Sequence, residues 1–308
     1  MNNTATETKT ENTVAEKKPR KRRWGDRSDG RRLRTISPMA MVSPFIMTER
    51  NDSQNLFTET IDITACEKFL REQKAAGNIN MGMLHIFLAA YVRTVSQRPA
   101  INRFIAGQRV FARNDIEVVM TIKKELSLDS PDTVIKCHFE PTDTVVDVYN
   151  KFNKVVAENT GAEANSDFDK TAKVLTYLPR FLLRFAVWAL KTIDYYFCLP
   201  KFLLGVSPFH GSFIITSMGS LGIPPIYHHL YNFGNLPIFL SYGAKRKETH
   251  VKDDGSVEIR PVIDITVVTD ERICDGFYYA GAFKMMRRLI KNPYVLLDPP
   301  EKVIEDID

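Results

Sequence analysis

The residues with the most chemical potential in this sequence form one short run, Glu271-Arg272-Ile273-Cys274-Asp275-Gly276-Phe277. It follows a strand-like segment and opens a helical one, so it sits where backbone N–H groups lack partners. Asp275 is well placed to cap that helix start. Glu271 could act as a base, but an ionised glutamate only accepts hydrogen bonds. It needs a raised pKa to shuttle protons near neutrality. Its alternative is an ion pair with Arg272 or another cation. The histidines give fewer openings. His210 lies just before an apolar strand that carries Thr216, and His228-His229 occupies a loop beside Tyr227 and Tyr231. Each could reach a pocket, or serve only as surface or packing. His85 falls in the apolar neighbourhood of a helix and reads as a satisfied core histidine, while His138 and His250 carry no role.

The elements that must position these residues are legible from periodicity. Thr64-x-x-Glu67 reads as a capping box opening a helix that closes near Gly77. Leu84, Leu88, Tyr91, Val92 and Val95 recur at helical spacing, and Arg98-Pro99 ends that helix. Asp115 to Lys123 is strand-like. Residues 132–140 alternate, with Ile135, Cys137 and Phe139 on one face and Lys136, His138 and Glu140 on the other, as in a half-buried strand. Val145, Tyr149, Phe152 and Val156 mark a further helix. Ser212 to Ser217 and Pro237 to Gly243 are short apolar strands, and Asp254-Gly255 signals a hairpin whose second arm runs on through Ile263, Ile265 and Val267. A last helix turns Tyr279, Phe283, Met286 and Ile290 inward and Lys284, Arg287, Arg288 and Lys291 outward, before Asn292-Pro293 stops it. Interspersed helices and strands of this kind imply an α/β protein, a two-layer sandwich on a mixed sheet.

Residues 174–206 stand apart. They are rich in Leu, Phe, Tyr and Trp, yet Arg180, Arg184, Lys191 and Asp194 interrupt them and Pro179 and Pro200 break them, which disfavours a bilayer-spanning helix. Packing within the core or between subunits is the expected use of such a segment. A peripheral membrane contact, or a cover over an acyl group, is the other.

The 308-residue chain carries a net charge of +5, and its basic residues cluster at Lys17-Lys18-Pro19-Arg20-Lys21-Arg22-Arg23. With so few apolar neighbours, residues 1–30 read as a disordered basic tail, leaving residues 31–308 as one domain. No comparable basic cluster follows, so nucleic acid is not an expected partner. The four cysteines (Cys66, Cys137, Cys198, Cys274) are far apart and form no CxxC pair, which leaves no legible zinc site or disulfide framework. The polar N-terminus lacks the apolar centre of a secretory signal, so a cytoplasmic location is the default.

Three blocks together resemble a known superfamily. The run from Asp270 to Gly276 is similar to the HxxxDG signature of chloramphenicol acetyltransferase and the dihydrolipoamide acyltransferase catalytic domains. Asp270, Arg272, Ile273, Asp275 and Gly276 fit it, and Glu271 stands where the family places histidine. Gly211-Ser212-Phe213-Ile214-Ile215-Thr216-Ser217-Met218-Gly219 resembles the family's Gly-x-Phe-Thr-Ile-Ser stretch, and Leu236 to Gly243 its apolar strand ending in glycine. Arg98-Pro99-Ala100-Ile101-Asn102 resembles its Pro-x-x-Asn at a helix end.

The resemblance implies a chloramphenicol acetyltransferase-like fold and transfer of an acyl group between coenzyme A, or a lipoyl thiol, and an acceptor. It implies a catalytic group drawn from Glu271, Thr216, Asp275 and His210. The Thr216 hydroxyl would meet the oxyanion, and Asp275 would hold the turn through a salt bridge. Coenzyme A contacts would fall at Ser217, Gly219 and Gly276, without a metal and without a lipoyl group on this chain. It implies a homotrimer with active sites between subunits. Loss of a positioned base costs roughly 10²–10⁴-fold in rate, so the expected activity is altered or reduced. The alternative is a non-catalytic acyl-CoA-binding or scaffold protein of the same fold.

Overall fold

A computed structural model describes residues 21–123, 132–160 and 177–308. A mixed sheet organises it. Its strands run in the order β2 (Gln54–Asp62), β10 (Val257–Asp270), β8 (Ile238–Tyr242), β7 (Phe213–Ser217), β5 (Ile116–Lys123) and β6 (Asp132–Phe139), and β9 (Arg246–Val251) pairs with the first half of β10. The central β7 is parallel to β5 and β8, and the remaining neighbours are antiparallel. A small second sheet joins β1 (Gly30–Arg32), β4 (Arg109–Arg113) and β3 (Arg103–Ala106). The β3–β4 turn places both Gly107 and Gln108 at positive φ, the conformation a tight hairpin of this hand requires. This is the expected α/β class.

Helices α2 (Thr64–Ala75), α3 (Met83–Gln97), α4 (Val145–Asn159) and α7 (Gly276–Lys291) cover one face of the large sheet. Period-2 alternation explains the seam: Phe213 and Ile215 of β7, Leu240 of β8 and Ile265 and Val267 of β10 enter the same buried cluster as α3. Tyr91 of α3 stacks on Phe213 with ring centres 4.2 Å apart. The alternate residues Ile214, Phe239 and Val268 face the other way, into a smaller cluster closed by Leu230 and Leu236. The loop from Gly222 to Pro237 therefore crosses the helix-free face. α1 (Pro38–Ile46), α5 (Arg180–Tyr196) and α6 (Lys201–Val206) lie outside this two-layer body.

Three expectations need correction. Thr64 does not cap α2; it is the first helical residue, and Asp62 accepts from its N–H at 2.9 Å and its hydroxyl at 2.6 Å. The box motif instead opens α4, where Thr144 and Asp147 cap each other's backbone N–H groups at 3.2 and 2.9 Å. The proposed tail boundary at residue 30 lies too far along, because Arg27 is 5% exposed. Its guanidinium bonds Asp29 at 2.9 Å, Asp194 at 2.6 Å and the carbonyls of Asp194 and Phe197 at 2.7 and 3.0 Å. Residues 1–20 lie outside the described residues. Third, α5 does not pack into the core, since of its side chains only Asp194 is buried, although Leu199 and Leu204 beyond it are.

Asp194 also accepts from the His210 ring at 3.3 Å, and the other ring nitrogen of His210 meets the Ser207 hydroxyl at 2.7 Å. Burial works against the Asp194 charge, but His210 and Arg27 outweigh it and hold the carboxyl well below the usual range. Burial pushes the His210 imidazole below its ordinary range, with Asp194 pulling the other way, so the ring is neutral at neutral pH. This network fastens the start of the described chain and α5 to the foot of β7. Arg27→Ala leaves Asp194 buried with its main cation gone, and should cost about 3–5 kcal/mol in chemical denaturation. The double variant Arg27→Ala/Asp194→Asn should lose less; a loss under about 1 kcal/mol in the single variant contradicts the clamp.

The same network sets a pH dependence. Because His210 has a lower pKa folded than unfolded, the unfolded chain takes up the proton first as pH falls below about 6.5. Its stabilisation is whole above that pH and drains away as pH falls through the folded value. His85, also buried and lowered, adds in the same direction. His210→Gln should flatten the fall in unfolding free energy between about pH 6.5 and 5, and an unchanged slope contradicts the assignment.

Candidate active site

At the far end of β10 the chain turns into α7 around a buried ion pair. Asp270, wholly buried, receives both the Nε and Nη2 of Arg272 at 2.8 Å, a bidentate geometry. The Ser53 hydroxyl donates to the same carboxylate at 3.1 Å, and Arg50 Nε stands 3.9 Å away. Arg272 reaches on to the carbonyl of Met47 at 3.0 Å. Arg50 spans to the carbonyls of Tyr231 at 3.1 Å and Ile105 at 3.3 Å, and also to that of Gly234. Burial lowers the Arg50 guanidinium to about 10, against the pull of Asp270. The cluster thus ties together α1's exit, the β3 end, the 222–237 loop and the motif turn.

Glu271 projects from this anchored turn. Its backbone N–H bonds the Ser53 carbonyl at 2.8 Å, while its side chain is exposed and pairs with no cation among the described residues. The pairing with Arg272 considered from sequence does not occur, because Asp270 occupies that guanidinium. Asp275 is the N-cap of α7, accepting from the Tyr278 N–H at 2.7 Å. The salt bridge expected there is made instead by Asp270, five residues earlier. Gly276 opens α7 with nothing within 4 Å of a Cβ built on it, so packing alone does not demand glycine there.

Thr216, Ser217 and Gly219 gather elsewhere, where β7 ends and a short 3₁₀ turn (Gly219–Leu221) begins. Thr216 shares the helix-free face with its cross-strand neighbour Ser241 and with Thr266 beyond, a row of hydroxyls. Ser241 accepts from the Ile226 N–H at 3.2 Å and Thr266 donates to the Ile226 carbonyl at 2.5 Å. Among the described residues the Thr216 hydroxyl has no such bond. Gly219 is required by close approach: a Cβ there would stand 2.7 Å from the Gly243 carbonyl. That explains the paired glycines at the ends of β7 and its neighbour β8.

Within one chain the two groups are far apart. Thr216 is level with Ser241 and Ser241 with Thr266, five residues short of Glu271. That separation is roughly 16 Å along the strands and about 10 Å across two strand spacings. Thr216, Ser217 and Gly219 therefore come together, Glu271, Asp275 and Gly276 come together, and the two sets lie at opposite ends of the sheet.

His210 lies at the end of β7 away from Thr216, and both its nitrogens are engaged by Ser207 and Asp194. It is 1% exposed, which leaves no free nitrogen for a substrate proton. His228 stacks on Phe239 with ring centres 4.2 Å apart, midway across the helix-free face, and its Nδ1 lies 2.9 Å from the His229 carbonyl. His85 is a satisfied core histidine, near the Gly82 N–H at 3.0 Å and Asn153 at 3.3 Å. Asn102, in the turn after α3, is buried and donates to the Asp115 carbonyl at 3.0 Å.

Sequence reasoning missed Arg50, Ser53 and Arg27. Arg50 and Ser53 sit in a polar loop with no periodicity, and Arg27 in a stretch read as tail. Asp194 did carry a signal, as the lone acid of an aromatic segment. No group of three or more His, Cys, Asp or Glu suited to a metal occurs among the described residues. The four cysteines are free thiols, and burial pushes Cys66 and Cys137 up to about 12, too high for thiolate chemistry.

Comparison with known proteins places these features. Residues 208–297 match the family described as "2-oxoacid dehydrogenases acyltransferase (catalytic domain)". No curated protein sequence matches the chain. Among solved structures, the cubic core of the pyruvate dehydrogenase multienzyme complex superposes with a TM-score of 0.56 at 15% identity, covering 86% of this chain and 94% of that one. Dihydrolipoamide acetyltransferase of Azotobacter vinelandii gives 0.55 at 14% identity, over 86% and 94%. A probable dihydrolipoamide acetyltransferase of Listeria monocytogenes 4b F2365 gives 0.53 at 13%, over 84% and 93%. Residues 208–297 thus match that family's model, and the chain has the fold of the solved dihydrolipoamide acyltransferase catalytic domains, as its sequence motifs implied.

Proposed function

We propose that the protein is an acyltransferase acting on acyl-coenzyme A, with each active site assembled from the Thr216 end of one copy and the Glu271 end of another. The observation that carries this reading is the separation of the two groups. Both are held by well-defined local structure, yet no hinge within one sheet can bring them together, whereas a second copy can. A symmetric ring of copies supplies the same pairing at every interface, and a homotrimer is the arrangement the resemblance implies.

In such a site the acceptor's hydroxyl or thiol attacks the acyl carbonyl of the thioester. The acceptor proton leaves to a base, and the carbonyl oxygen becomes an oxyanion. Thr216, whose hydroxyl makes no hydrogen bond among the described residues, donates to that oxyanion. The intermediate then collapses, the C–S bond breaks, and the coenzyme A sulfur takes back a proton. Glu271 stands on the turn where relatives of this signature carry histidine. A glutamate there can accept a proton but is a weak partner for a thiol or hydroxyl. The exposed, unpaired state of that side chain favours a second reading, an acyl-CoA-binding protein without turnover.

Thiol release from a panel of acyl-CoAs, measured alongside binding, separates the two. Glu271→His should raise turnover at least about tenfold, a conservative part of the general-base effect. If Glu271 itself is the base, Glu271→Gln should abolish the unmodified rate while leaving affinity nearly intact. A folded protein that binds no acyl-CoA in any of these forms contradicts both readings. Mass photometry at micromolar concentration should report three chains per particle, and a stable monomer would remove the shared site.

A further inference from the structure

Helix α5 is turned inside out. A surface helix ordinarily buries its apolar stripe and shows its polar face to water. Here Phe181, Phe185, Trp188 and Tyr196 follow one another at spacings of four, three and eight, so they share one face. They are 71%, 62%, 59% and 69% exposed. The one buried side chain of the helix is the charged Asp194. The helix is nonetheless firmly seated. Arg27 bonds the side chain and carbonyl of Asp194 and the carbonyl of Phe197, and Tyr195 bonds Gln108. Lys136 holds the following α6 through the Leu204 carbonyl at 2.6 Å. The aromatic face is thus held outward by the bonds of Asp194, made from the opposite side. Phe197 and Phe202 extend the apolar surface beyond the helix end, at 74% and 67% exposure.

Charge decides what this face meets. Asp194 is the only acidic residue between positions 177 and 206, and it is buried. Arg180, Arg184, Lys191 and Lys201 are exposed, and none forms an ion pair among the described residues. On a helical projection Arg180, Arg184 and Lys191 share an arc beside the aromatic face, at spacings of four and seven. An exposed aromatic stripe flanked by uncompensated cations matches the interface of an anionic bilayer, where Trp and Tyr rings settle at the headgroup level and Arg and Lys meet lipid phosphates. An antiparallel two-fold pairing of the same face in a second copy would set the cations of one helix against those of the other. No helix among the described residues is long and apolar enough to cross a membrane, so the contact lies in the plane of the surface.

We propose that α5 and the start of α6 form a peripheral membrane-docking element that binds anionic lipid surfaces through Phe181, Phe185 and Trp188, with Arg180 and Arg184 engaging the headgroups. This stands independently of the acyl-transfer reading. It nevertheless places the lipid surface close to the motif end of the sheet, because Lys191, Asp194 and Tyr195 share a cavity wall with Arg50 and Arg272.

The test is co-sedimentation of the full chain with phosphatidylcholine vesicles, with and without phosphatidylserine, over a range of salt. The protein should bind the anionic vesicles, bind neutral ones far less, and release as salt rises. Phe185→Ser/Trp188→Ser and Arg180→Gln/Arg184→Gln should each lower the partition coefficient on the order of tenfold or more. Circular dichroism checks that both remain folded. As a measurement free of that concern, Trp188 emission in a Trp24→Phe background should shift to the blue on adding anionic vesicles. Absence of binding to anionic vesicles, or unchanged binding in both double variants, overturns the proposal. So does a protein that ignores vesicles but loses self-association in the aromatic variant, which would assign the face to a second copy.

Discussion

Asp270 is a buried carboxylate with two guanidinium groups and a hydroxyl around it, and most of the site depends on that arrangement. A charge taken out of water at the end of a strand is costly unless it is paired with good geometry. Here the bidentate bond from Arg272 supplies the pairing, the Ser53 hydroxyl adds a hydrogen bond, and Arg50 stands 3.9 Å away as a second cation. Both arginines then extend to carbonyls on other segments, so the same charge fixes the turn that presents Glu271 and the loop that crosses the helix-free face. The two cations outnumber the one carboxylate, and burial accordingly holds Arg50 below the usual guanidinium range.

A second polar cluster, Arg27 with Asp194, His210 and Ser207, has a different effect. It sits at the foot of β7 and holds α5 by its single buried side chain, so the aromatic residues of that helix cannot turn inward without breaking buried bonds. In both clusters an interior ion pair sets orientation: one aims a site turn, the other aims an apolar face.

Much of the fold could be read from the sequence because its elements obey simple periods. Ile135, Cys137 and Phe139 alternate and are buried in β6, and the Asp254-Gly255 hairpin and the Asn292-Pro293 stop fall where their turn chemistry puts them. β2 escaped notice because Gln54–Asp62 is an edge strand, polar along much of its length and half exposed. β3 and β4 escaped because each is only four or five residues long. Thr216, Ser217, Gly219 and the Asp275-Gly276 pair were singled out because the blocks around them resemble those of the acyltransferase family; the close approach at Gly219 and the capping by Asp275 give a local reason for residue type, and nothing comparable marks Thr216 or Gly276. Arg50, Arg27 and Ser53 were not, since Asp270 and Asp194, around which they gather, are remote in sequence, and nothing local distinguishes a buried arginine from a surface one. The exposure of α5 was also hidden. Its composition suits a core, and only its anchoring through Asp194 and Arg27 turns the apolar face to solvent.

The central claim is that a complete site needs Thr216 and the residue 271 position from different copies. Chains carrying both Glu271→His and Thr216→Val can be co-assembled with unmodified chains, and thiol release from acyl-CoA compared with either pure assembly. Shared sites predict that the mixture exceeds both parents, because an altered residue 271 then faces an intact Thr216 across an interface. Activity equal to the weighted mean of the parents, at every mixing ratio and in particles shown to contain both chains, would contradict it.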